Sequence, residues 1–216
     1  MICLVLVDLL LEDINSLRLI FNLMKIINQL EAVRKLDKGC PLIFQTDTLP
    51  AIGCKPEFYE LIYKIKKRNK NKALILMGSN IHQVLDYVHD SAKDDFKRLA
   101  GKFWPGSLTL IIPVSNKKNL DLITKANTLG IRIPNCLTAQ SLISKTGPLA
   151  TSSANISGIK TYLTAEAVSN ALPDLEILGP VPWEECSGLG STIISWTNGG
   201  KWKLIREGEI PFSRIS

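Results

Sequence analysis

EFYELIYKIKKRNKNKALILM, residues 57–77, joins two different periods in one short segment. Phe58, Leu61, Ile62 and Ile65 recur at the three- and four-residue spacing that gathers side chains on one face of a helix, so Glu57–Lys67 reads as an amphipathic helix. Ala73–Met77 is a continuous apolar run, the pattern of a strand covered on both faces. Between them, six cations lie within Lys64–Lys72 with no acidic residue among them. A helix that feeds a buried strand is the building unit of an α/β protein. The cationic turn at the strand's entry reads as a solvated charge run, a nucleic-acid patch or a phosphate site.

The same alternation continues on both sides. Upstream, Ile26, Ile27, Leu30, Val33 and Leu36 carry helical spacing over residues 25–36, closed by Lys38-Gly39. Pro41–Thr46 follows as a short strand, and QTDTLPAIGC reads as a polar loop. Downstream, Ile81–Tyr87 and Ser91–Ala100 read as helices, with His82 and His89 on a shared face. Leu108–Val114, Leu129–Ile133, Pro148–Thr151, Ile177–Gly179, Ser191–Trp196 and Lys203–Arg206 read as strands, and Thr138–Thr146 and Thr164–Ala171 as helices. No linker, repeat or low-complexity segment interrupts the series. The reading is one α/β domain over residues 24–216 with an open, mixed sheet. Residues 1–23 are read as an N-terminal extension, or a misplaced translation start ahead of Met24, because Asp8, Glu12 and Asp13 break their apolar run.

The 216 residues are 45% hydrophobic and 21% charged, enough for one good core. A net charge of +6 favours an anionic partner. Five scattered cysteines without a CxxC pair, and only two histidines, exclude a zinc site by spacing and suit a reducing, cytoplasmic setting.

No Walker loop, dinucleotide fingerprint, nucleophile elbow or HExxH motif is present. What remains at strand ends is a set of hydroxyls, amides and cations: Thr46, Asp47 and Thr48; Lys66, Arg68 and Lys72; Thr128 and Arg132; Ser153 and Asn155; Ser191 and Thr192; and Arg206. In open α/β sheets ligands bind beyond the carboxyl ends of strands. Arginine forks and short hydroxyls suit phosphate and carboxylate. With no general-base histidine evident, the chemistry is one of positioning and charge neutralisation, as in phosphoryl and nucleotidyl transfer. Arg132 inside an apolar strand is the residue hardest to explain structurally, whereas Asp47 reads equally well as a cap and Trp104 as core.

Seven segments, in order, resemble the YrdC-like threonylcarbamoyl-AMP synthases: QTDTLPAIGC, KIKKRNKNKALIL, FWPGSLTLIIP, LGIRIP, LATSSANISG, STIISWT and LIREGEI. The resemblance spans residues 40–210. It implies an open twisted α/β sheet with flanking helices and a large, positively charged concave cavity. It also implies a reaction: L-threonine, bicarbonate and ATP, with Mg2+ accompanying the ATP, give L-threonylcarbamoyladenylate and pyrophosphate for threonylcarbamoyladenosine in tRNA. Matching segments assigns Lys66, Arg68, Ser153 and Asn155 to catalysis on the phosphates. Lys72, Thr128, Thr161 and Arg206 join Arg68 and Ser153 as ATP contacts, and Thr48, Met77, Arg132, Thr151 and Ser191 are assigned to L-threonine.

The chain departs from the pattern where Pro50-Ala51 replaces Tyr-Gly, Asn69 and Ala73 replace prolines, and Met77 stands where the family often has histidine. An aromatic wall and a side-chain hydrogen bond are therefore expected to be missing. The resemblance is to the short, single-domain form; its implied partner is a tRNA threonylcarbamoyl-transferase complex. The alternative is a non-catalytic module binding double-stranded RNA or tRNA. Aromatic content of only 6% leaves phosphate and shape contact as its mode. No membrane partner is expected.

Overall fold

A computed structural model describes residues 24–115, 127–197 and 199–215. The expectation for residues 1–23 falls outside them. Asn28 starts the first helix, α1 (Gln29–Asp37): its side chain accepts from the Glu31 amide at 3.0 Å, and Glu31 accepts from the Asn28 amide at 3.1 Å. This capping box fixes where the helix begins. Ile26 and Ile27, which periodicity assigns to the helix, instead form a two-residue strand, β1, parallel to β8 (Glu176–Leu178).

Leu42–Phe44 (β2) pairs antiparallel with Ala51–Cys54 (β3). AIGC is thus a buried strand, not a loop. A Cβ on Gly53 would lie 2.7 Å from the Phe44 ring, so this glycine makes room for Phe44. A 3-10 turn at Pro56–Phe58 leads into α2 (Glu60–Lys66), and β4 is Ile75–Met77. Next come α3 (Ile81–Val84), a 3-10 turn at Leu85–Tyr87, a second at Asp90–Ala92 and α4 (Lys93–Phe103). Because α3 stops at Val84, His82 and His89 do not share a helical face. The His89 ring accepts from the Ser91 amide at 3.2 Å. The chain then runs through β5 (Leu108–Pro113), β6 (Thr128–Arg132), α5 (Leu137–Thr146), β7 (Leu149–Ser153), α6 (Ala165–Ala171), β9 (Thr192–Thr197) and β10 (Lys201–Arg206).

The strands of the described residues join one ten-stranded mixed sheet in the order β1-β8-β2-β3-β7-β4-β6-β5-β9-β10. On one face Ile62, Phe96 and Leu99 from helices pack on Leu76, Leu110 and Ile131 in the larger core. Trp104 belongs there too, edge-on to Phe96 at 5.3 Å with its indole N–H donating to the Leu108 carbonyl at 2.7 Å. On the other face α1 and α5 bring Leu36, Ala139 and Leu142 against Leu42, Phe44, Met77 and Leu149. These two helices cover only one end of that face. Among the described residues no helix covers the part over β4, β6, β5 and β9, and it holds the site. Among the described residues the cysteines are free thiols, and no helix is long and apolar enough to cross a membrane.

Candidate active site

Side chains alternate across a strand, so residues two apart share a face. Ile75 and Met77 on β4, Thr128, Gly130 and Arg132 on β6, Thr109 and Ile111 on β5, and Ile193 on β9 therefore point together into a cavity of about 240 Å³. Loops add Thr48, Arg68 and Ser191 to its walls, and the last residues of β7 and β10 add Ser153 and Arg206. Its described lining contains three arginines and no acidic residue, so the space is built for anions.

Arg132 is 3% exposed. Its Nη2 donates to Asp47 Oδ1 at 2.6 Å, its Nη1 to Thr48 Oγ1 at 2.6 Å and its Nε to the Gly106 carbonyl at 3.0 Å. Burial pulls its guanidinium below the ordinary arginine range, and Asp47 opposes that pull. Among the described residues three of the five guanidinium N–H groups thus have partners, which leaves two for a ligand in the cavity. Asp47 is the ion-pair partner of Arg132 rather than a helix cap. The loop that carries Asp47 and Thr48 is shaped by Thr46, which is fully buried; its hydroxyl donates to the Leu49 carbonyl at 2.7 Å and accepts from the amides of Thr48 and Leu49.

Lys66 departs from its expected place on the phosphates. It is 1% exposed and does not line the cavity. Its ammonium donates to the carbonyls of Ser153 and Asn155, and to Asn155 Oδ1 at 3.0 Å. Asn155 Oδ1 also accepts from the Ser153 hydroxyl at 2.6 Å, while Asn155 Nδ2 donates to the carbonyls of Ile156 and Ile159. Lys66 and Asn155 therefore shape the SSAN loop from behind, and Ser153 is the member of this set that faces the cavity. Burial first, and the neighbouring Arg68 second, pull the Lys66 ammonium down to about 7. Arg68 does line the cavity. It holds the turn ahead of β4 by donating to the carbonyls of Lys72 at 3.2 Å and Ala73 at 2.9 Å.

At the far wall the guanidinium of Arg206 donates to the Ser191 carbonyl at 2.7 Å. The backbone there is crossed closely by Gly208, where a Cβ would lie within 2.6 Å of the Ser191 carbonyl carbon. Gly208→Ala must displace Ser191 and Arg206 together. The expected cost is about 1–3 kcal/mol of stability, read by urea unfolding, with weakened nucleotide binding; unchanged midpoint and binding would show that the two segments separate freely.

Of the residues singled out in the sequence, Thr48, Arg68, Met77, Thr128, Arg132, Thr151, Ser153, Ser191 and Arg206 line one cavity. Thr46, Asp47, Lys66, Lys72, Asn155, Thr161 and Thr192 do not. Lys72 is exposed and contributes its backbone carbonyl to Arg68 and to the Tyr63 hydroxyl. Thr161 is half-buried outside the lining. The cavity also takes in Thr109 and Gly130, which sequence reasoning passed over. A signal for Thr109 existed: it is the one polar residue in the strand LTLIIP, as Arg132 is the charged one in its own strand.

The sequence model of the Sua5–YciO–YrdC family, described as telomere recombination, matches residues 34–208. The chain belongs to that family. Among Sua5–YciO–YrdC relatives, the threonylcarbamoyl-AMP synthase of Bos taurus is 32% identical over 187 residues, covering 82% of this chain and 66% of that protein. The threonylcarbamoyl-AMP synthase of Pseudoalteromonas translucida is 33% identical over 145 residues, covering 64% of this chain and 77% of that protein. Among solved structures, P. abyssi Sua5 complexed with L-threonine aligns with a TM-score of 0.76 at 25% identity, over 88% of this chain and 59% of that one. E. coli YciO shares the fold, with a TM-score of 0.71 at 23% identity over 86% of this chain and 95% of that one. The chain thus spans about two thirds of the bovine relative and less of P. abyssi Sua5. The open twisted mixed sheet with flanking helices is the fold of this family.

Proposed function

We propose that this protein is an L-threonylcarbamoyladenylate synthase, a nucleotidyltransferase that joins L-threonine, bicarbonate and ATP and releases pyrophosphate. The observation that carries this reading is the convergence of Arg68, Arg132 and Arg206 with Thr48, Thr151, Ser153 and Ser191 on one cavity without a described acidic residue in its lining. The curated relatives bearing the synthase name, and the relative crystallised with L-threonine, support it.

The two free N–H groups of Arg132 would take the substrate carboxylate, with Thr48 beside them already held by the same guanidinium. Arg68 and Arg206 would receive the triphosphate from opposite walls, and the Ser153 hydroxyl would turn from Asn155 Oδ1 to donate to it. Attack of a carbamate oxygen on the α-phosphorus brings two anions together, a repulsion of ~4 kcal/mol at 4 Å for an effective dielectric near 20. Fixed arginines offset that repulsion in the transition state and stabilise the departing pyrophosphate. The carbamate itself forms when the unprotonated threonine amine attacks bicarbonate-derived carbon, and the cavity's task is to hold those partners together.

Mg2+ would arrive on the phosphate oxygens of ATP as part of the substrate. The relatives that bear the synthase name, and the one crystallised with L-threonine, support the enzyme and not the RNA-binding alternative, which is carried no further. The adenylate product would pass to a tRNA threonylcarbamoyl-transferase complex.

The test is pyrophosphate release from ATP with and without L-threonine and bicarbonate. Release that requires both is the expected result. No release, or release indifferent to L-threonine, would overturn the proposal.

A further inference from the structure

Thr109 and Ser191 sit on the cavity wall, on β5 and just before β9, with their hydroxyls 2.8 Å apart. Thr109 is fully buried and Ser191 is 3% exposed. Each hydroxyl brings one hydrogen and two lone pairs. Their mutual bond uses one hydrogen and one lone pair. Among the described residues no other group bonds to either hydroxyl, so the pair retains one O–H and three lone pairs. A buried hydroxyl without a partner for its hydrogen is costly, and here the open direction is the cavity.

The floor beside the pair is apolar. Gly130 has no side chain, and a Cβ placed there would meet Thr109 Cγ2 at 3.5 Å, Ile75 Cγ1 at 3.7 Å and Ile111 Cγ1 at 3.8 Å. These are ordinary van der Waals distances, so the missing Cβ leaves a methyl-sized space rather than a clash. Thr109 contributes to both surfaces: its methyl to this dimple and its hydroxyl to the pair. Arg132, the proposed carboxylate anchor, is close by on the same strand as Gly130, two residues on. A hydroxyl pair beside a methyl-sized dimple, within reach of a carboxylate anchor, is complementary to one side chain in particular: a carbon that bears both a hydroxyl and a methyl.

We propose that Thr109 is a specificity-determining residue: with Ser191 it reads the β-hydroxyl of L-threonine, while the dimple over Gly130 takes the γ-methyl. This rests on the synthase reading above and deepens it. The pair can donate its surplus hydrogen to the substrate hydroxyl and accept that hydroxyl's hydrogen in return. An amino acid without the hydroxyl leaves the pair unsatisfied, and one without the methyl leaves the dimple empty. A site built around a substrate hydroxyl rejects analogues that lack it more strongly than an apolar pocket rejects a missing methyl.

The test compares wild type, Thr109→Val and Thr109→Ser in threonine-dependent pyrophosphate release, with L-threonine, L-2-aminobutyrate and L-serine as substrates. Thr109→Val keeps the shape and removes the hydroxyl; Thr109→Ser keeps the hydroxyl and removes the methyl. The expected result for Thr109→Val is a KM for L-threonine raised about 10-fold with kcat changed far less, and a preference for L-threonine over L-2-aminobutyrate reduced by about the same factor. Thr109→Ser should keep the hydroxyl preference and narrow the gap between L-threonine and L-serine. A structural role alone would lower the unfolding midpoint without moving these ratios, so each variant's urea midpoint is measured alongside. If wild type turns over and Thr109→Val shows unchanged KM and unchanged discrimination, the Thr109 assignment falls and the synthase reading stands. If wild type releases no pyrophosphate with L-threonine, both fall.

Discussion

Lys66→Met is expected to lower stability and adenylate formation together. Methionine fills the same volume but removes the ammonium from the carbonyls of Ser153 and Asn155 and leaves Asn155 Oδ1 with the Ser153 hydroxyl alone, in a site that water hardly reaches. Taking a donor away from buried acceptors should reduce stability by about 1–3 kcal/mol, measured by urea unfolding. Ser153 then loses its fixed position on the cavity wall, and turnover should fall by about 100-fold or more, because misplacement by about 1 Å is costly to a reaction that depends on positioning. A variant with wild-type midpoint and turnover would show that the clamp matters to neither.

The same lysine gives a pH signature with a definite sign. Its folded value, about 7, lies below its ordinary 10.5. The unfolded chain therefore binds the extra proton between those limits, so the stability that Lys66 contributes rises with pH across that window. The slope is at most ~1.4 kcal/mol per pH unit. The stability difference between wild type and Lys66→Met should be larger at pH 9 than at pH 7. An incoming triphosphate favours the ammonium, so ATP binding above pH 7 should draw in a proton. Calorimetry in two buffers of different ionisation enthalpy reads that uptake; identical heats would remove the coupling.

The second large effect is at Arg132. Arg132→Lys keeps one charge but not the fork that holds Asp47 and Thr48 at 2.6 Å each. Lysine offers a compact point charge and cannot serve Asp47, Thr48, the Gly106 carbonyl and a carboxylate in one plane. The KM for L-threonine should rise by about 100-fold, the equivalent of one or two charge-assisted hydrogen bonds, with the KM for ATP changed much less. Asp47, whose side chain is 16% exposed, is left with an imperfect partner, and breaking a buried pair costs about 3–5 kcal/mol when no cation remains. Arg132→Met should therefore lose more stability than Arg132→Lys. Equal threonine KM values for wild type and Arg132→Lys would remove the carboxylate role.

Much of the architecture was legible in the chain alone. The helical spacing of Phe58, Leu61, Ile62 and Ile65 and the apolar run before Met77 announced α2 and β4, and the alternation around them announced one mixed sheet. The strand AIGC was not legible, because a glycine beside a proline reads as a loop until Phe44 is seen to occupy the glycine's space. Ile26 and Ile27 fitted a helical period that only the Asn28 cap, and the partner strand β8 far along the chain, could overrule.

The site divides in the same way. Residue type and order were sufficient to nominate Arg68, Arg132, Ser153, Ser191 and Arg206, because cations and hydroxyls at strand ends have few structural reasons to be there. They could not say which way a side chain turns. Lys66 and Arg68 stand two apart in a run of cations, yet Lys66 is drawn inward to three carbonyl-type oxygens while Arg68 faces the cavity. Thr109 was hidden for the converse reason: a lone hydroxyl in an apolar strand is unremarkable until β5 and β9 lie side by side and Ser191 comes within 2.8 Å. The sequence by itself determined the alternation of elements and the chemistry available to the cavity. Tertiary structure decided which of those groups face the ligand, because burial and hydrogen-bond partners arrive from strands distant in the chain.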